Sequence, residues 1–141
     1  MKGYFVTGNE YVSLPTINMA DGGVEGITFL HMGVKGLIHS TGNGEAPLLR
    51  PKVVIDGQEM PLTHFRWSRA DYWIPHFTAQ AGPVEVRGCL LAPLGQRGFV
   101  YQLAVRSSQE VMVTYGLEGY FGECFVEINE AKPIRGEKFA Y

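Results

Sequence analysis

At 141 residues the chain has the size of one domain able to bury a real core, and its 45% hydrophobic and 18% charged residues exclude intrinsic disorder. A net charge of -2 and a pI near 6.1 leave no basic stripe to neutralise phosphates, so nucleic acid is not an expected partner. No apolar run approaches the ~20 residues that cross a bilayer, and Met1–Glu10 lacks the apolar core of a signal peptide. Membrane contact is therefore not expected, and a cytoplasmic location is.

The 18 glycines and 8 prolines lie between apolar runs and read as turn punctuation. In chain order, Tyr4–Val6 forms a short first strand and Thr16–Gly26, rich in Asn, Asp and Gly, reads as a loop. Ile27–Met32 is a mostly buried strand, and Gly33 and Gly36 bracket a tight connection into Leu37–His39. Ser40–Pro47 is a second glycine-rich loop. Val53–Ile55, Asp56-Gly57 and Gln58–Met60 make a hairpin, because Asp-Gly accepts the positive φ angles of a primed turn. Thr63–Trp67 and Tyr72–Ala79 are further strands. Pro75 cannot donate to a ladder, so its strand is expected at an edge or with a bulge there.

From Val84 to Asn129 the chain reads as consecutive antiparallel strands. Val84, Val86, Leu90 and Ala92 fall at even spacing. Phe99, Tyr101, Leu103 and Val105 share one face, and Val111, Val113 and Tyr115 repeat the pattern after a turn at Ser107–Glu110. Period-two alternation over three runs is the mark of half-buried strands. Phe125–Asn129 and Ile134–Tyr141 are the last two expected strands. The fold class is all-β, an antiparallel β-sandwich, in one domain spanning 1–141. The apolar ending Phe139-Ala140-Tyr141 suggests the N-terminal fragment of a longer protein, the alternative being a natural terminal strand docked in the sheet.

The search for chemistry yields little. His31, His39, His64 and His76 lack the spacing that aims two imidazoles at one metal, so no metal site and no cofactor are expected. Cys89 and Cys124 read as free thiols, with Cys124 buried on its parity with Val126 and Ile128. There is no Gly-x-Ser-x-Gly elbow, and Gly95-Gln96-Arg97-Gly98 joins strands rather than opening a helix. Glu118, Glu123, Glu127 and Glu130 read as solvated rather than catalytic. Among the aromatics, Trp67, Trp73 and Tyr120 are the candidate carbohydrate-binding residues, as stacking platforms for sugar faces; the competing role for the tryptophans is core or interdomain packing.

The run Tyr72–Phe77, the crossing Ala92-Pro93-Leu94-Gly95-Gln96-Arg97-Gly98-Phe99-Val100-Tyr101 and Asn129–Pro133 resemble one family. So does Thr41-Gly42-Asn43-Gly44 before Pro47–Pro51. It is the N-terminal β-supersandwich domain of (α/α)6-barrel glycoside hydrolases and phosphorylases, such as debranching amylo-glucosidases and cellobiose phosphorylase-like proteins. The resemblance implies a supersandwich of galactose-mutarotase-like architecture that packs against a downstream catalytic domain of the same chain. It also implies that the catalytic carboxylates lie in that domain, so none is assigned here. The alternatives are a free-standing carbohydrate-binding module and an oligomerisation domain. The expected partners are thus a downstream domain, an oligosaccharide, or a second copy of the chain.

Overall fold

The structure is a computed structural model that describes residues 2–31, 36–128, 132–134 and 137–139, with side chains over 2–30 and 37–124. Among the described residues there is no helix. The strands begin with β1 (Tyr4–Gly8), β2 (Val12–Asn18), β3 (Gly26–His31), β4 (Gly36–Gly42), β5 (Leu49–Ile55), β6 (Gln58–Met60) and β7 (Thr63–Ala70). They continue with β8 (Ile74–Ala81), β9 (Val84–Leu91), β10 (Val100–Ser107), β11 (Val113–Gly119), β12 (Phe121–Ile128), β13 (Lys132–Ile134) and β14 (Glu137–Phe139).

These strands build an antiparallel β-sandwich. One layer is the sheet β10-β9-β8-β7; the other combines β1-β2-β3-β4-β12 with β11-β5-β6, and β13 pairs with β14. The two parts of the second layer meet at Val24, which bridges Ile17 of β2 and Leu49 of β5. Its N–H donates to the Leu49 carbonyl at 2.8 Å. The β5–β6 turn has the geometry its residues invite, with φ of 50° at Asp56 and 81° at Gly57. Asp71 and Tyr72, at 49° and 67°, make a second primed turn between β7 and β8.

The alternation read from the sequence places side chains on the correct faces. Val84, Val86, Leu90 and Ala92 are all fully buried. The order of neighbours differs from a continuous meander, however. β9 and β10 pair along their whole lengths, whereas β11 leaves that sheet to pair with β5 in the other layer, and β12 pairs with β4. Alternation encodes which face is buried and says nothing of which strand lies alongside.

The core falls into two clusters between the layers. Leu14, Ile17, Val24 and Leu90 anchor one, and Val53, Phe77, Val84 and Val86 the other. Each such side chain contributes roughly 1.5–3 kcal/mol by leaving water. Aromatic rings run through both: Phe77 lies 5.0 Å from Trp67 and 5.1 Å from Phe65, with Tyr101 edge-on at 6.4 Å. This needs Gly88 on β9, because a Cβ there would overlap the Phe77 ring. The partly buried Tyr101 donates to the Gly22 carbonyl at 2.6 Å, and desolvation pushes its phenol far above the ordinary value.

Several further expectations change. The presumed loop from Thr16 begins only after Asn18, since β2 takes Thr16–Asn18 and pairs with β1. β8 is central rather than an edge, and it carries no bulge at Pro75. The β8–β9 ladder starts at His76↔Cys89, so the proline sits at its open end. The β7–β8 bulge lies instead between Thr63 and Arg66, where His64 adopts a left-handed φ of 56°. Both Cys89 and Cys124 are free, yet Cys124 is exposed rather than buried. It sits on the outermost strand of its sheet, where one-sided pairing leaves it open to solvent. Gly33, the side chains of His31, Val126, Glu127 and Ile128, and the motif residues 129–131 lie outside the described residues, as does the terminal pair 140–141.

Candidate functional site

The three aromatic candidates lie on different elements, Trp67 on β7, Trp73 at the end of the β7–β8 turn and Tyr120 between β11 and β12. Trp67 projects to the core side of β7. Its ring stacks on Phe5 at 5.0 Å, Phe65 lies nearly parallel at 6.3 Å, and its indole N–H donates to the Met19 carbonyl at 2.8 Å. The parity shared by Phe65 and Trp67, with polar Arg66 and Ser68 between them, carries this orientation in the sequence. Trp73 closes the β7–β8 turn, where its carbonyl accepts from the Thr7 hydroxyl at 2.8 Å. The most exposed aromatic of that turn is Tyr72, 96% accessible.

Tyr120 belongs to a charged cluster on the outer side of β5, β6 and β11. Arg50 Nη2 donates to the Tyr120 hydroxyl at 3.1 Å and to Glu118 Oε2 at 3.2 Å, and its guanidinium lies 5.2 Å from the Tyr120 ring centroid. Lys52 Nζ reaches Glu118 Oε1 at 3.4 Å, and Glu59 lies 3.7 Å from both cations. The neighbouring Tyr120 hydroxyl, then Arg50 and Lys52, hold the Glu118 carboxyl below its ordinary value, while the same contact with Glu118 raises the Tyr120 phenol. Two cations balance two carboxylates here. Glu123 is exposed on β12 and takes no part, so the paired carboxylates of glycosidic chemistry are not assembled between Glu118 and Glu123.

The outer face of the β7–β10 sheet is built differently. Arg66, Thr78 and Arg87 face one another across β7, β8 and β9, and His76 and Cys89 form the adjoining row. A groove of about 430 Å³ runs over Arg66, Thr78, Arg87 and His76, lined also by Ser68 and Arg69. A second, of about 400 Å³, shares Arg66 and Thr78 and extends to His64, Gln80 and Glu85. Cys89 Sγ lies 3.6 Å from His76 Nε2, but burial raises the thiol's pKa, the opposite of what an activated nucleophile needs. No local sequence motif marks this face. Its arginines could be read by parity against the apolar residues beside them, but their assembly into rows requires the strand register.

The glycine-rich crossing Gly95–Gly98 is fastened to the β1–β2 turn. Asn9 Nδ2 donates to the carbonyls of Pro93 at 2.5 Å and Gln96 at 2.8 Å, and Glu10 Oε1 accepts the Gly95 N–H at 2.7 Å. Arg97 lies over the Tyr11 ring at 5.3 Å. With Gly95's donor taken by a carboxylate, the loop ties two strand connections together rather than cradling a phosphate. Among the described residues no group of three His, Cys, Asp or Glu is placed to hold a metal, and no helix is long and apolar enough to cross a membrane. The fold and these surfaces define an all-β antiparallel sandwich with one charge-balanced cluster and one arginine-rich face. Comparison with known protein families, curated proteins and solved structures returned no significant match.

Proposed function

We propose that this chain is a non-catalytic β-sandwich domain of a carbohydrate-active enzyme, a glycoside hydrolase or phosphorylase, and that it packs against a helical-barrel catalytic domain. The observation that carries the reading is the uncovered core-facing side of β11. Val113, Tyr115 and Leu117 lie opposite Ile55, Val53 and Pro51 and therefore share their buried face. Val113 packs into the core, yet Tyr115 and Leu117 stay 45% and 40% exposed. An apolar strip at the open end of a sandwich suits a second protein body. Covering the exposed part of Leu117 alone contributes about 1 kcal/mol.

The family resemblance carried by Tyr72–Phe77 and Ala92–Tyr101 supplies the enzyme class. Free Cys89 and Cys124 agree with a reducing, cytoplasmic setting. Of the three candidate aromatics, Tyr120 is best supplied for sugar contact, with Arg50 and Glu118 beside it to bond hydroxyls.

The coding sequence beyond Tyr141 tests the reading first. Continuation into helical repeats bearing a carboxylate pair is expected, and a stop codon there overturns it. In the longer protein, Tyr115→Asp with Leu117→Asp should loosen the sandwich from the remainder in limited proteolysis. Self-association abolished by the same pair would assign the strip to a second copy instead.

A further inference from the structure

Strands β7 to β10 carry four arginines and a single carboxylate, Glu85, in a chain whose net charge is -2. Positive charge is thus concentrated on one sheet. Arg69 is engaged with the Phe5 ring at 4.6 Å, and the other three guanidiniums lie on strand positions of the outer face, Arg66 and Arg87 in one row and Arg106 opposite Glu85. Glu85 accepts the Arg87 Nε–H at 2.8 Å, which steadies that side chain and leaves its terminal Nη groups available. Arg66 and Arg106 have no ion-pair partner among the described residues.

We infer that this face is a binding surface for an acidic oligosaccharide, whose sugar carboxylates are taken by Arg66 and Arg87. The inference rests on the carbohydrate reading above and names the ligand class. The two arginines stand two strand spacings apart, about 9.5 Å, with Thr78 between them. Each offers a planar fork matched to a carboxylate. Between and beside the forks lie Thr78, Ser68 and His76, small polar groups suited to sugar hydroxyls. The groove continues past Arg66 toward Gln80 and His64, so a chain of sugars can lie along it rather than a single small anion. His64 reaches that lining through a bulge in a left-handed backbone conformation that histidine adopts at a cost. The local distortion is therefore spatially coupled to the charged surface.

Calorimetric titration of the intact chain at physiological ionic strength tests this, comparing oligogalacturonate with a neutral gluco-oligosaccharide of equal length and with poly-glutamate. The oligogalacturonate should bind at least tenfold more tightly than either. Arg66→Gln and Arg87→Gln should each weaken it by roughly tenfold, the loss of one charge-assisted bond, while Lys2→Gln changes nothing. Circular dichroism and urea midpoints establish that the variants are folded. Equal binding of poly-glutamate, or retention of affinity in the Arg66→Gln, Arg87→Gln double variant, overturns the inference. Neutral sugars binding as well as the uronide would sink it while leaving the carbohydrate-domain reading intact. A stop codon after Tyr141 together with selective uronide binding would do the reverse.

Discussion

The contact between Gly88 and the Phe77 ring gives a sharp test of how the core is built. Phe77 is 2% exposed and flanked by three aromatic rings, so Phe77→Ala should cost about 4 kcal/mol in stability. For 141 residues that lowers Tm by roughly 13 °C. Gly88→Ala puts a methyl group into the ring, and strand backbone on both sides limits relaxation, so overpacking should cost about 2 kcal/mol. With Ala at position 77 the obstacle is gone. Replacing a glycine inside a strand should then be favourable by about 0.5–1 kcal/mol. The two effects differ in sign, which gives a coupling of about 2.5–3 kcal/mol between the sites. Urea unfolding followed by tryptophan fluorescence measures all four corners of the cycle, with a constant m-value as the check on two-state behaviour. If Gly88→Ala costs the same in both backgrounds to within about 0.5 kcal/mol, the close approach does not govern this part of the core.

Other consequences can be measured on the same preparation. Because the Glu118 carboxyl is held below its ordinary value, its stabilising contribution is present above the usual carboxylate range and is lost as pH falls through its own lower value. Glu118→Gln should therefore be less stable than the native chain at neutral pH, with the gap closing in acid. A gap independent of pH would contradict the network. Tyr72 is 96% exposed at a φ of 67°, so Tyr72→Asn should raise stability by about 0.5–1 kcal/mol by relieving left-handed strain. An unchanged or lower urea midpoint counts against that account. Tyr101→Phe removes a side-chain donor from the Gly22 carbonyl and should cost about 1–3 kcal/mol by calorimetry. A loss below about 0.5 kcal/mol would mean that water replaces the hydroxyl there.

Much of the strand content is written locally. Val84, Val86 and Leu90 alternate with polar neighbours and are buried as that pattern requires, and Asp56-Gly57 makes the turn its chemistry favours. What local pattern does not carry is partnership. Tyr115 continues the alternation of the preceding runs yet lies beside Val53, some sixty residues earlier. Pro75 illustrates the same limit: it marks a missing donor without revealing that the neighbouring ladder ends before reaching it. The aromatic candidates fail to converge for a related reason, since residue type reports stacking capacity and Trp67 uses that capacity inside the core. The charged groups of the outer face are each visible in sequence, whereas the row joining Arg66 to Arg87 exists only once β7, β8 and β9 are in register.

The pairing of β4 and β5 with β12 and β11 also sets the order in which this molecule can be completed. Gly42 waits for Phe121 and Ile55 for Val113, so two edges formed within the first 55 residues are closed only by the last third of the chain. At ribosomal rates of about 5–20 residues per second, Ile55 is exposed without its partner for several seconds after it is made. Such an edge is a template for any strand that arrives, including the β11 of another copy. Closing these long loops is the slow, entropically costly step, so exchange of β11 between neighbouring chains is the misassembly this topology favours at high concentration.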